Sequence, residues 1–262
     1  MRKPQIIFIL AVLVVGGVIS LFMIRDSGIP MAPEECFDRA NEYEEWLCLE
    51  PYFKMLVNKV SVSYAMDEVQ HLQDEGVVNN CHFLVHVIGE ANLEKHNFDP
   101  GKAFATCEFG CAEGCFHGVM ERYVRYEADP YMVTAQVKSM CDTVGISMFE
   151  VGEEEVIRDM GGECAHGVGH GLISHGFLSI PDATRACQGF DNEYYERRCR
   201  GGIMMEHVME RLGGREDKLL TILPEICEPF RELIDEQRNW YQKCWDKALR
   251  WSANIWNENK EE

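Results

Sequence analysis

The pattern of apolar and polar positions changes twice along this chain. Ile6 to Ile24 is an unbroken apolar run without a charge. At about 1.5 Å per residue it spans roughly 28 Å, the thickness of a hydrocarbon core, which predicts a membrane helix. Arg2 and Lys3 precede it and Arg25 is offset by Asp26. The positive-inside bias then makes residues 1–25 a cytoplasmic stub with an uncleaved signal anchor and sends the rest across the membrane. Residues 26–35, with Gly28, Pro30 and Pro33, read as a linker.

From residue 36 to 262 the apolar positions return every three to four residues, the period of helices with one buried face. Cys36–Leu49 and Tyr52–Gln73 are expected as the first two helices. A repeat then follows in four units, about 80–112, 113–145, 162–190 and 197–230. Each has a helix opening on a Cys and a His or Gly motif, a polar turn such as Asp99-Pro100, Asp129-Pro130 or Pro181-Asp182, and a second helix ending in another Cys. Asp142–Glu163, between the second and third units, reads as an extra acidic helix or lid ended by Gly161-Gly162. A capping helix over 229–256 is expected to bury a stripe of Tyr241, Trp245, Leu249, Ser252 and Trp256.

The predicted fold is therefore all-α, an N-terminal transmembrane helix followed by disulfide-stapled helical hairpins in a solenoid-like or superhelical bundle. Such an architecture resembles that of disulfide-bridged helical-hairpin repeat proteins, without their familiar consensus residues. Twelve cysteines and no Cys-x-x-Cys spacing favour disulfides over a thiolate metal site, as in an oxidising, extracytoplasmic compartment. The separations within the units, 26, 26, 23 and 28 residues by subtraction, suggest Cys81–Cys107, Cys115–Cys141, Cys164–Cys187 and Cys199–Cys227. Cys36 would join Cys48, and Cys244 would take Cys111 or, in another scheme, Cys227.

Charge narrows the partners. A net charge of −19 excludes nucleic acid and anionic lipid headgroups, and leaves metal ions, cationic ligands or a protein partner. No Gly-x-Ser-x-Gly, His-Glu-x-x-His or phosphate-binding glycine loop follows a predicted strand, so an enzymatic activity is not assigned.

The chemistry lies in the histidines. Of nine, six fall in the motifs that open the repeats, with spacings of four from His82 to His86, His117 to Glu121 and His166 to His170. That interval puts both side chains on one helix face. If the faces converge, His82, His86, His117, Glu121, His166 and His170 form a mono- or dinuclear site for Zn, Cu or Fe. Glu121 or Glu206 would accept a proton should the metal keep an open position. Over about ten residues this spacing is similar to that of hemerythrin-like di-iron bundles. Motif order, cysteines and glycines depart from that family, and no oxygen-binding function is implied. The competing reading is a non-catalytic scaffold for a protein or peptide. In it the histidines only pack beside Gly118, Gly167, Gly169, Gly171, Gly201 and Gly202, positions of close helix approach.

Overall fold

The structure, a computed structural model, describes residues 30–37, 39, 42–78, 80–141, 146–151, 154–212, 218–235 and 238–258. The chain divides into Met1–Pro33 and Glu34–Glu262, and everything below belongs to the second unit. The expected membrane helix lies outside the described residues, among which no helix is long and apolar enough to cross a membrane.

The second unit has a helical body: α1 (Glu42–Lys59), α2 (Val62–Asp74), α3 (His82–Lys95), α4 (Pro100–Phe104), α5 (Gly114–Glu127), α6 (Val133–Cys141), α7 (Met160–Ile173), α8 (Ile180–Cys187), α9 (Glu193–Leu212), α10 (Leu219–Cys227) and α11 (Trp240–Glu258). From α3 on, long and short helices alternate: α3/α4, α5/α6, α7/α8 and α9/α10. Their short helices start where turn chemistry predicts. Asp99 accepts from the Lys102 amide ahead of Pro100, and Ser179 accepts from the Asp182 amide.

Three local expectations give way. The first helix runs through Pro51, and the break comes at Ser61, whose hydroxyl accepts from the Tyr64 amide at 3.0 Å. A good cap outweighs one backbone hydrogen bond lost to proline. The insertion is not an acidic helix. Ile146–Val151 (β1) and Glu154–Asp159 (β2) pair antiparallel, with Gly152-Glu153 between them in sequence, and Gly161 and Gly162 lie inside α7. Branched and aromatic residues around a two-residue glycine loop favour a hairpin over a helix. At the C-terminus, residues 234–235 and 238–239 form a second short hairpin (β3, β4), so the last helix starts at Trp240 instead of Pro229. Its buried face is Trp240, Cys244 and Ala248, while Leu249 is 40 % exposed; the side chains of Ser252 and Trp256 lie outside the described residues.

The disulfides differ most from expectation. Cys36–Cys48 forms as expected, but the others are Cys81–Cys111, Cys107–Cys115, Cys141–Cys164, Cys187–Cys199 and Cys227–Cys244. Each short helix ends beside the start of the next long helix, so its terminal cysteine staples unit to unit instead of closing its own hairpin. The bridged loops of 8, 23, 12 and 17 residues each contribute about 2.5 to 3.5 kcal/mol in the chain-entropy model.

The long helices pack in sequence, α1 on α3, α3 on α5, α5 on α7 and α7 on α9. Leu84, Ile88, Phe116, Met120, Leu172 and Ile203 fill the spaces between them and are almost wholly inaccessible. The helices approach so closely that backbone occupies the place of side chains. A Cβ on Gly118 would lie 2.0 Å from the His86 carbonyl oxygen, and one on Gly202 would lie 2.0 Å from that of His166. These two contacts lock the helices at the level of the histidines.

Candidate metal centre

Three helices supply the imidazoles. His82 and His86 lie one turn apart on α3, His117 and Glu121 on α5, and His166 and His170 on α7. All six are at most 8 % exposed. The row of helices curves, so that α3 and α7, separated by α5, bring the His86 and His170 rings to 5.0 Å between centroids. His117 touches the other four rings, at 5.6 Å from both His82 and His86, 5.5 Å from His170 and 4.6 Å from His166.

One nitrogen from each of His82, His86, His117 and His170 lies within 4.8 Å of the others. Glu121 stands behind His86 with one oxygen 3.0 Å from Nδ1, and His166 flanks His117 and His170.

In each ring one nitrogen is tied down. His82 Nδ1 donates to the Cys111 carbonyl at 2.8 Å, His86 Nδ1 to Glu121 at 3.0 Å, His117 Nε2 to Glu163 at 3.1 Å, and His170 Nδ1 to Glu206 at 2.8 Å. His166 Nδ1 donates to the Arg198 carbonyl at 3.1 Å. Carbonyls and carboxylates only accept, so these bonds fix the tautomers and turn the lone pair of the opposite nitrogen inward. His117 Nδ1 and His170 Nε2 are buried with no hydrogen-bond partner. His82 Nε2 and His86 Nε2 face each other at 3.0 Å.

The acceptors are themselves fixed. Cys111, Ala112 and Glu113 all have left-handed backbones (φ 48, 53 and 60°), a turn that aims the Cys111 carbonyl at His82 while Cys81 and Cys111 are bonded. A non-glycine residue there costs roughly 1 to 2 kcal/mol. Ser174 donates to Glu121 at 2.7 Å, and Arg198 pairs with Glu163. Sequence reasoning gave no role to Glu163, Ser174, Arg198 or the Cys111 carbonyl. Ser174 was accessible to it, lying one turn beyond His170 as His170 lies one turn beyond His166.

Arg198 pairs with Glu163, Arg125 is shared between Glu90 and Glu121, and Lys54 lies 4.0 Å from Glu90, which leaves Glu206 with only a histidine partner among the described residues. Burial, then the fields of Glu121 and Glu210, push the Glu206 carboxyl well above the usual range. Burial alone would raise Glu121 too, but the hydrogen bond and charge of His86 hold it below that range. Burial pushes His82 down to about 3, with His86 adding to the effect, and depresses His117, His166 and His170 well below 6.5.

Acid stability follows from these shifts. Below pH 6.5 the unfolded chain takes up protons that these four buried imidazoles refuse, so the stability of the metal-free protein falls as pH drops. His82 alone loses about 2.3 kcal/mol between pH 6.5 and 4.5, as the slope rises toward about 1.36 kcal/mol per unit. Glu206, Glu90 and Glu210 act in the opposite sense, because burial raises their carboxyls and favours the fold as pH falls toward 4.5. The four imidazoles outnumber these three carboxyls, so urea midpoints of the metal-free protein should decline from pH 6.5 to 4.5. A flat profile over that window would contradict neutral buried histidines.

Beside the centre lies a cavity of about 380 Å³, which reaches His86, Glu121, Ser174 and Glu206 from the surface near Trp46, Lys54 and Glu210. The remaining histidines are elsewhere: His207 Nε2 donates to the Ile226 carbonyl at 2.8 Å, His71 pairs with Glu75, His96 sits 3.4 Å from the Thr106 hydroxyl, and His175 is on the cavity wall. No protein-family model, curated protein or solved structure matches this chain.

Proposed function

We propose that this chain is a metal-binding protein in which His82, His86, His117 and His170 hold one divalent ion, with Glu121, Glu163 and Glu206 orienting three of the four imidazoles. The observation that carries the reading is the convergence of four buried imidazoles, one nitrogen from each of His82, His86, His117 and His170 lying within 4.8 Å of the others. Nitrogens bound to a common tetrahedral ion at about 2.05 Å lie about 3.3 Å apart. A purely packing role for the histidines leaves this convergence and the two buried nitrogens without a partner among the described residues, His117 Nδ1 and His170 Nε2, unexplained.

Four imidazoles around one ion favour Zn(II) over copper or iron, since zinc takes a tetrahedral nitrogen shell without preference from its d electrons. Such an ion, when bound, supplies positive charge and cross-links three helices. The residues of the chain do the rest: Glu121, Glu163 and Glu206 raise the basicity of the rings they hold. The cavity reaches only His86 of the four rings, which favours a closed shell and a structural or carried ion over hydrolytic chemistry.

The same reading places the centre outside the cytoplasm, on a membrane-anchored chain. Its support is the apolar run Ile6–Ile24 behind Arg2 and Lys3, and twelve cysteines that are all paired.

Metal analysis of purified protein after mild chelation and reloading tests the proposal. One Zn(II) per chain is expected, falling below about 0.2 in His86→Ala plus His170→Ala. Replacement by Co(II) should give the intense visible bands of a tetrahedral site. Unchanged zinc content in the double variant, or the weak bands of six-coordinate cobalt, would sink it.

A further inference from the structure

The cavity beside the histidines has a composition that a metal ion alone does not explain. One wall is apolar, with Leu47, Val87 and Met209 beside Trp46 and Phe83, whose ring centroids are 5.8 Å apart. The rest is charged, and its charges do not cancel. Lys54 sits 2.6 Å from Glu50, Arg122 sits 2.9 Å from Glu94, and Arg125 pairs with Glu90, so each lining cation already has its own carboxylate. Of the other three lining carboxylates, Glu121 shares Arg125 at 3.8 Å, while Glu206 and Glu210 have no lysine or arginine partner among the described residues.

Glu206 is the most telling of the three. It is only 8 % exposed and lines the cavity, yet only one of its oxygens has a hydrogen-bond partner among the described residues, the one that accepts from His170. The second oxygen is an acceptor without a donor at the inner end of a space large enough for a small organic molecule. Glu210 stands nearer the mouth, accepting from the His175 amide at 3.3 Å.

We infer that this cavity is a second binding site, for a small organic cation with a primary ammonium head and an alkyl body. The ammonium would donate to the open oxygen of Glu206 between Glu121 and Glu210, and the hydrocarbon would lie along Trp46, Phe83 and Met209. An ammonium brings three donors to the open oxygen of Glu206, and its positive charge meets Glu206 and Glu210, which have no lysine or arginine partner among the described residues. An anion would face those carboxylates, and a hydrated divalent ion would leave the aromatic wall uncovered. The head rests on the carboxylates behind His86 and His170, not on the four inward nitrogens. Occupancy of the cavity and occupancy of the metal centre are therefore separate observables.

Calorimetric titration of the full chain with n-pentylammonium, 1-pentanol and Mg²⁺ tests this inference, in chelated and in zinc-loaded protein. Saturable one-to-one binding of pentylammonium is expected in at least one of the two preparations, with an affinity at least tenfold above that of pentanol. Binding should weaken when salt is raised to about 1 M, where the screening length is about 3 Å. Glu210→Gln, outside the metal centre, should leave zinc content unchanged and weaken pentylammonium roughly threefold to fivefold, as expected for one partly exposed charge pair. Val87→Phe, which fills the apolar wall, should abolish binding in a chain whose zinc content confirms that it folds. The inference is overturned if pentylammonium does not bind either preparation or binds no better than pentanol. It is equally overturned if Mg²⁺ alone saturates the site, or if Glu210→Gln binds like the parent. Failure of the zinc measurement with ammonium binding intact would count against the metal reading alone.

Discussion

Gly118→Ala is expected to unfold the helical unit or leave it unable to hold metal, although it adds a single methyl group. That methyl would sit 2.0 Å from the His86 carbonyl oxygen, with the His86 Cα and carbonyl carbon both at 2.7 Å. All three obstacles are backbone, so no rotamer change relieves them. Helix α5 must move away from α3 by more than 1 Å. Gly89 on α3 marks the same tight approach one turn on, since a Cβ there would meet the Cys115 carbonyl oxygen of α5 at 2.1 Å, so separating the helices gives up close packing at both levels. The cost should be about 3 kcal/mol or more, at the upper end of overpacking effects. Function should fail with it, since His117 and Glu121 flank Gly118 on the displaced helix. Gly101→Ala is the matched control. Its Cβ would find only the Asp99 carboxylate, at 3.4 Å, and the helix-forming gain of alanine makes it neutral or stabilising by up to about 1 kcal/mol. Urea midpoints and zinc content of the two variants, measured side by side, check the contrast. A Gly118→Ala protein with parental stability would mean that the helices are further apart than the structure has them.

The same geometry explains how much of the molecule can be read from its residues. Period and turn chemistry reveal the four long-short helical units, because Asp99-Pro100 and Ser179-Ile180-Pro181 act within a few residues of themselves. Spacing of four also reveals which histidines share a face. The pairing of the cysteines is not legible in this way. A chain with one cysteine near the start of each long helix and one at the end of each short helix has the same periodicity whether bridges close a unit or join it to the next. Only the arrival of Cys107 beside Cys115, and of Cys187 beside Cys199, decides it. Convergence is non-local for the same reason. Glu163 reads as a neighbour of His166 along α7, yet its carboxylate holds His117 on α5. Glu206 reads as a remnant of a motif that has lost its histidine, and it is the acceptor that orients His170 from α9.

The fourth repeat thus contributes no imidazole but a carboxylate, and removing that charge should separate two effects that are usually confused. Glu206→Gln keeps an oxygen that accepts from His170 Nδ1 and keeps the shape of the side chain. In the metal-free protein the glutamate is an uncompensated buried acid, repelled by Glu121 and Glu210, so the amide should raise stability near neutral pH by on the order of 1 kcal/mol. In the zinc-loaded protein the sign reverses. The ion needs the negative charge behind His170, and loss of such a partner weakens metal binding by about 10- to 100-fold. At fixed zinc above saturation that change removes about 1.4 to 2.7 kcal/mol of ligand-linked stability. The variant should therefore melt above the parent after chelation and below it in zinc. A side chain that mattered only to packing would shift both melts in the same direction and by the same amount. The crossing of the two, read by thermal unfolding with zinc and with chelator, assigns Glu206 to the metal.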